Sequence, residues 1–315
     1  MKNFALIGAS GYIAPRHMKA IKDTNNNLIV SLDPYDGIGI MDSNFPEADF
    51  FTEFEKFDTF VDSFNRTSQI DYFSITSPNY LHEAHIRYAL QHNGDVICEK
   101  PLVLNPSDID NLKIIEQESG KRVYNILQLR LHPSIIALKE RVTKELAINP
   151  NKIYDIDLTY LTSRGKWYFT SWKGDESKSG GIASNIGVHF YDMLCWIFGD
   201  VEENIVHIKT PNTNSGYFKL KNATVRWFLS VNYDYIPDEV KATGQRTYRS
   251  ITVDNEELEF SGGFTDLHTR SYEEILKGNG FGLDEAYGSI RTVSTIRNLD
   301  AIGVKGDYHP FCKKI

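Results

Sequence analysis

Cysteine is scarce in this 315-residue chain: Cys98, Cys195 and Cys312 stand far apart. Three scattered thiols exclude a disulfide framework and a Cys-x-x-Cys metal site, and they suit a reduced, cytoplasmic protein. Basic excess is also missing. Thirty-four Lys and Arg face 42 Asp and Glu, a net charge of −8, which argues against nucleic acid as a partner. A local basic pocket for a small anion remains compatible with that balance. No apolar run approaches the ~18 residues of a membrane span. Phe4 to Ile7, behind Met1-Lys2-Asn3, has the outline of a signal peptide. Gly8 ends that run, and Pro15 to Lys19 follow without cleavage-like spacing, so a cytosolic protein that keeps its first residue is expected. Repeats and low-complexity tracts are absent too. With 41% hydrophobic and 24% charged residues, what remains is a globular chain long enough for two domains.

Short apolar runs alternate with helical patterns over the first 120 or so residues. Phe4 to Ile7, Leu28 to Asp33, Asp71 to Thr76 and Val96 to Glu99 read as strands. Ala14 to Lys22, Leu81 to His92 and the stretch behind Pro106-Ser107-Asp108 read as helices. Such alternation predicts a parallel sheet covered on both faces. The texture then changes. Val123 to Leu129 reads as a strand and Pro133 to Lys144 as a helix, before long alternating runs at Tyr154–Leu161, Gly216–Lys221, Thr224–Val231 and Ser250–Phe260. An Asn255-Glu256 turn suggests a hairpin. The expected fold is α/β plus α+β: a Rossmann-type parallel sheet over residues 1–122, an α+β domain on a broad, largely antiparallel sheet over 123–300, and an irregular tail over 301–315.

The first strand leads into Gly8-Ala-Ser-Gly-Tyr-Ile-Ala14 and a helix. Glycine allows the sharp turn that brings a helix N-terminus, with its free N–H groups, to a pyrophosphate. The fingerprint Gly-x-Gly-x-x-Gly is only partly kept, since Ser10 and Ile13 occupy its second and third places and Gly11 offers the close approach one residue late. Asp33, ending the second strand, is the acid for the ribose hydroxyls of NAD, and Asp36 is its alternative. Gly8, Ser10, Gly11, Tyr12, Ile13 and Asp33 are therefore candidate cofactor residues. Ser77, Pro78, Asn79 and His82, closing the next strand, join them, although Asn79 also suits a plain helix cap.

Asp95 to Leu102 is the most informative stretch. An apolar strand delivers Glu99 and Lys100 to its carboxyl end, and Pro101 stops it there. Open α/β sheets bind their ligands at that end, so Glu99 and Lys100 count as cofactor residues and Lys100 as a catalytic one. A second element, Ser179 to Asp192, places Asn185, His189 and Asp192 at helical spacings of four and three, hence on one face. His189, with an ordinary pKa near ~6.5, is suited to acid–base work. Gly187 permits close packing. Close His-x-x-His and Cys-x-x-Cys sets are lacking, and no metal is expected.

Gly8…Gly11 with Asp33, Ser77 to His82, Glu99-Lys100-Pro101 and Gly187-x-His189-x-x-Asp192 together resemble the Gfo/Idh/MocA oxidoreductase family. Gly8 to His17, Tyr124 to Arg130, Ser163 to Tyr168, Ser171 to Gly174 and Asn185 to Asp192 are similar to one branch of it, the 3-dehydrogenases of UDP-N-acetylglucosaminuronic acid from bacterial O-antigen pathways. The resemblance implies NAD-dependent oxidation of the sugar C3 hydroxyl to a ketone for a separate aminotransferase. Lys100 would lie beside the nicotinamide and His189 would face the substrate. Many relatives carry Asp where this chain has Asn185, which shifts the base role to His189 or Lys100. Some members of the branch recycle bound NADH with 2-oxoglutarate, and others release it. A homo-oligomer, a tetramer by resemblance, is expected.

An anionic UDP-uronate needs cations. Arg16, Arg164, Lys173 and Arg249, interleaved with Tyr168 and Trp172, are the candidates, and with Lys100, Asn185, His189 and Asp192 they form the expected substrate set. His189 would take the proton while Lys100 steadies the alkoxide, or the two would exchange roles if desolvation lowers the lysine's pKa. A dehydrogenase of another nucleotide sugar or a free polyol is the competing enzyme, and an NAD-binding regulator the competing class.

Overall fold

A computed structural model describes residues 1–258 and 266–315, which fall into two compact units. The first comprises Met1–Gln128 and Asp266–Tyr287, the second Leu129–Thr265 and Gly288–Ile315.

Six parallel strands build the first unit: β1 (Asn3–Ile7), β2 (Asn27–Leu32), β3 (Asp49–Phe51), β4 (Tyr72–Ile75), β5 (Asp95–Cys98) and β6 (Val123–Asn125). Their spatial order is β3-β2-β1-β4-β5-β6. Phe4 to Ile7 and Phe73 to Ile75 are buried throughout, as strands covered on both faces must be. Between them run α1 (Ala14–Asp23), α2 (Ile38–Asn44), α3 (Phe54–Asn65), α4 (His82–Gln91) and α5 (Pro106–Ser119). Proline opens α5 and Gly120, at φ +67°, closes it. The strand order reverses between β1 and β4, the crevice where such sheets take a ligand.

The expected boundary at 122 is corrected. Val123 pairs with Val96 and Tyr124 with Ile97, so β6 belongs to the first sheet. The expected strand to Leu129 ends at Asn125, whose side-chain amide turns inward onto the Cys98 and Glu99 carbonyls. Residues Gln128–Leu131 then form a 3₁₀ turn.

In the second unit α6 (Pro133–Ile148), α7 (Lys166–Thr170), α8 (Glu176–Ser179) and α9 (Val188–Phe198) accompany β7 (Tyr154–Thr162), β8 (Val201–Lys209), β9 (Thr213–Leu220) and β10 (Ala223–Ser230). After α10 (Asp238–Ala242) come β11 (Thr247–Val253) and β12 (Glu256–Glu257). The sheet order is β12-β11-β7-β10-β9-β8, and every pairing but β7 with β10 is antiparallel. The β11–β12 hairpin turns at Asp254 and Asn255, both at positive φ, one residue earlier than expected. Residues 259 and 260 of the expected final strand lie outside the described residues.

Alternation gives this sheet two faces. Phe218, Trp227 and Leu229 lie under α9, with Trp227 and Phe218 against Tyr191. On the opposite face Phe228 and Leu161 pack with Cys312 and Phe311. The tail expected to be irregular thus finishes in a 3₁₀ turn, Pro310–Lys314, seated by buried His309 and Cys312.

The first unit regains chain late. Helix α11 (Leu267–Leu276) packs on α1 and adds Tyr272 and Ile275 to the core of Phe4, Leu6, Met18 and Ile21. Helix α12 (Leu283–Asn298) follows it.

Candidate active site

In the first unit Gly8 is at φ +99°, and a Cβ there would lie 2.5 Å from the Ser77 nitrogen. Only glycine fits. A Cβ on Gly11 would sit 3.2 Å from the Gly8 carbonyl oxygen, so the turn itself is tight at the late glycine. Asp33 accepts from the Ser10 amide at 3.0 Å and the Tyr35 amide at 2.9 Å, which fixes its carboxylate against the turn. Asp36 instead caps the following turn through the Ile38 amide. Helix α1 carries no side-chain cap, leaving its N-terminus for an anion. An uncapped helix, a tight glycine turn and a strand-end acid are features that fit a dinucleotide. Arg16 is exposed on the first turn of α1.

Ser77 bonds the His85 Nδ1 at 2.8 Å, and burial takes the His85 pKa down to about 4. Asn79 is buried where it opens a short 3₁₀ turn behind Pro78. His82 needs correction. It is 1% exposed, and its ring nitrogens face the Pro101 and Ser77 carbonyl oxygens, each at 2.8 Å. Its imidazole ties two strand-end loops together instead of meeting a cofactor.

Glu99 is corrected in the same way. Its Oε1 faces His17 Nε2 at 3.0 Å and His268 Nε2 at 2.8 Å, and its Oε2 accepts from the Lys100 amide at 3.1 Å. Burial alone would raise its pKa. Hydrogen bonds from both histidines overcome that and hold the carboxyl well below the usual range. The charged end points into the protein, while Lys100 stands half-buried at the strand end behind it. Sequence reasoning missed His17, His268 and Tyr272 here. His17 stood inside a quoted motif, but nothing in the chain order announces that residue 268 returns to it.

In the second unit the segment before α9 is a π-turn, Ala183–Gly187, a local irregularity common at functional sites. A Cβ on Gly187 would approach Leu229 Cδ1 to 2.6 Å, so helix and sheet meet closely there as expected. Nearly every side chain from Ile182 to Leu194 is buried, the exceptions being Asn185 and His189. One face therefore opens at these two positions. The Asn185 Nδ2 donates to the Tyr168 hydroxyl at 3.0 Å. Burial raises the Tyr168 pKa, against the pull of Asn185 and the field of Arg164. Next along, Lys173 Nζ lies 5.3 Å from the Trp167 ring and 5.6 Å from Trp172, a cation held between indoles. Arg249 lies over Tyr160, whose ring packs on Phe190, the neighbour of His189. Trp167 meets Tyr168 edge-on, so Asn185, Tyr168, Trp167, Lys173 and Trp172 form one connected run, and Arg249 reaches α9 through Tyr160.

Asp192 is the third correction. It is 2% exposed, and Arg130 holds it through both carboxylate oxygens. It anchors α9 and is not offered to a substrate. Arg130 gave no sign of this partnership, because the two residues lie 62 positions apart.

Among the described residues, His17, Glu99 and His268 place ligand atoms within 4.8 Å of one another, as do Asp58, Asp62 and His92. The first group was not foreseen, and its hydrogen bonds already satisfy it.

Residues 2–126 match the family described as an oxidoreductase family with an NAD-binding Rossmann fold, and residues 151–235 match its C-terminal alpha/beta domain. The WlbA (WbpB) dehydrogenase from Thermus thermophilus, solved in complex with NAD and alpha-ketoglutarate, is 51% identical, with a TM-score of 0.94 over 99% of this chain and 100% of that one. A second structure of WlbA (WbpB) from Thermus thermophilus, in complex with NAD and UDP-GlcNAcA, is 50% identical over the same shares, also with a TM-score of 0.94. Glucose-6-phosphate 3-dehydrogenase from Bacillus subtilis is 25% identical over 206 residues, 63% of this chain and 54% of the relative. The chain spans about half the length of this and another curated relative it matches. With both domains matched in order, and half its residues shared with a solved relative over that relative's full length, the chain belongs to the GFO_IDH_MocA oxidoreductase family.

Proposed function

We propose that this protein oxidises the C3 hydroxyl of UDP-N-acetylglucosaminuronic acid to a ketone with NAD as acceptor. One observation carries the reading: half of the chain's residues are shared, end to end, with a dehydrogenase whose structure holds NAD and UDP-GlcNAcA. The cations and aromatics joined around Asn185 suit such a sugar, since Arg164, Lys173 and Arg249 can meet diphosphate and carboxylate while Tyr168 and Trp172 present flat apolar surfaces.

Bound NAD supplies a hydride acceptor. His189 then takes the proton of the C3 hydroxyl, as its near-neutral intrinsic pKa allows. Lys100 is the cation that favours the developing alkoxide. Asn185, locked by Tyr168, orients the hydroxyl or the imidazole beside it. Gly8, Ser10, Gly11, Tyr12 and Ile13 cradle the pyrophosphate, Asp33 takes the ribose hydroxyls, and Ser77, Pro78 and Asn79 border the nicotinamide.

The reading extends to recycling of bound NADH by 2-oxoglutarate, to a cytoplasmic homotetramer, and to supply of a 3-keto sugar to an aminotransferase in O-antigen synthesis. The relative's complex with NAD and alpha-ketoglutarate supports the first of these.

The test is to purify the protein without added cofactor, measure NAD(H) carried along, and offer UDP-sugars with and without 2-oxoglutarate. Ketone formed from UDP-N-acetylglucosaminuronic acid, together with 2-hydroxyglutarate, supports the reading. Oxidation of a free polyol but no UDP-sugar overturns it. Lys100→Ala and His189→Ala should each lose about 10²- to 10⁴-fold in kcat, and unchanged turnover removes that residue from the chemistry.

A further inference from the structure

Beneath the strand end that carries Lys100 lies a buried polar chain that the proposed chemistry does not use. Ser74 Oγ meets Tyr272 Oη at 2.7 Å, and Tyr272 Oη meets His17 Nδ1 at 2.7 Å. His17 Nε2 reaches Glu99 at 3.0 Å, and His268 Nε2 reaches the same oxygen at 2.8 Å. The other Glu99 oxygen accepts the Lys100 amide. All five side chains are at most 6% exposed.

We propose that Glu99 is a positioning residue for Lys100, and that α11 makes it one by supplying His268, which grips its carboxylate, and Tyr272, which orients the His17 that grips it beside His268. The inference deepens the reading above, since it rests on Lys100 acting in the oxidation. Residues 267–276 lie outside both matched domain stretches, so this also gives that helix a task.

Proton bookkeeping makes the grip specific. A carboxylate accepts only, so both histidines present an N–H at Nε2. A neutral His17 then leaves Nδ1 bare, and only the Tyr272 O–H can satisfy it. Tyr272 in turn accepts from the Ser74 hydroxyl. Each proton has one address, running from Ser74 through Tyr272 and His17 to Glu99. Burial lowers the His17 pKa, which favours the same neutral form. The metal alternative would use the same two Nε2 atoms as ligands, leaving Glu99 with neither donor.

The backbone beside Lys100 is tied on both sides. The Glu99 amide donates to Ile75 and its carbonyl accepts from Asn125, while the Pro101 carbonyl faces buried His82. The Lys100 amide is the link between them, and Glu99 holds it. A lysine that must meet a reacting oxygen loses rate steeply when its base shifts.

Glu99→Gln tests this. Its amide can still accept from one side, but its NH₂ then opposes the Lys100 N–H, donor against donor. We expect kcat for the sugar to fall about a hundredfold, with KM, the Kd for NAD and the circular dichroism melt little changed. Wild-type kcat in Glu99→Gln overturns the proposal, as does a loss confined to KM. Because Glu99→Gln could fail to fold, ¹⁵N NMR of His17 in the wild-type protein provides a second arm. A protonated Nε2 and a bare Nδ1 at neutral pH support the grip, and Tyr272→Phe should shift the Nδ1 signal. The opposite tautomer, an imidazolium, or stoichiometric bound zinc at these side chains overturns it. If the wild type oxidises no UDP-sugar, the proposed function fails, while the His17 spectrum still decides the grip.

Discussion

Arg130 holds Asp192 as a two-pronged buried pair, Nε on Oδ2 at 3.0 Å and Nη2 on Oδ1 at 2.7 Å. The guanidinium also lies 5.6 Å from the Trp196 ring, one turn further along α9. His189 rides on the same helix one turn before Asp192. The pair therefore sets the angle at which α9 presents its open face. Three measurements test how the fold supports that face and the dinucleotide turn, and a fourth tests its pH dependence.

Replacing Arg130 by Met strands a carboxylate that is 2% exposed. Urea unfolding should show a loss of about 3–5 kcal/mol. The double variant Arg130→Met/Asp192→Leu should recover most of it, because the buried charge is then gone. A double variant no more stable than the single one would show that the pair contributes net attraction instead.

Gly187→Ala should cost about 1–3 kcal/mol, since its methyl would meet Leu229 and Tyr191 in a filled core. Trimming Leu229 to Ala in the same chain should make the added methyl cheaper than it is alone. If the two changes simply add in the unfolding curves, the contact with Leu229 is not the cause.

Asp33→Asn keeps the shape but puts an NH₂ where one oxygen accepted from Ser10 or Tyr35. Affinity for NAD, followed by nicotinamide or tryptophan fluorescence, should fall about tenfold or more. Affinity for NADP should fall less, because the repelling charge is removed. A variant that keeps the wild-type preference would move the ribose acid away from Asp33.

Histidines buried in the neutral state make stability depend on pH. Burial, helped by Arg226, takes His309 down to about 3, and burial takes His85 to about 4, against an ordinary value of 6.5. Below 6.5 the unfolded chain binds protons that the folded chain refuses, so stability falls as pH drops from 6.5 toward those values. Above 6.5 the contribution is complete. Each histidine adds a slope of at most about 1.4 kcal/mol per pH unit in that window. His309→Asn should flatten the urea-midpoint curve by one proton's worth, and an unchanged curve would mean that His309 charges freely.

Much of the architecture was legible because it follows from local pattern. Short apolar runs closed by turn residues marked the parallel strands except β3, and period-two alternation marked the second sheet except β8. The turn at Gly8 and the strand-end positions of Asp33 and Lys100 were legible because local pattern fixes where a strand stops. Asn185 and His189 share a face because helical geometry puts residues four apart together, even though Asn185 lies in a π-turn.

Glu99, His82 and Asp192 were misread for one reason. A polar residue beside an active segment looks the same in sequence whether it faces a ligand or a buried partner. For Glu99 and Asp192 the partners came from afar, His268 on a helix beyond residue 265 and Arg130 from a 3₁₀ turn, whereas His82 turns onto the nearby Ser77 and Pro101 carbonyls.

By itself, then, the sequence determined which residues can turn, cap, alternate and titrate, because those properties depend on near neighbours. Only the tertiary structure decided which charges are buried and what satisfies them. Burial joins segments remote in the chain, and an unpaired polar group there is too costly to leave.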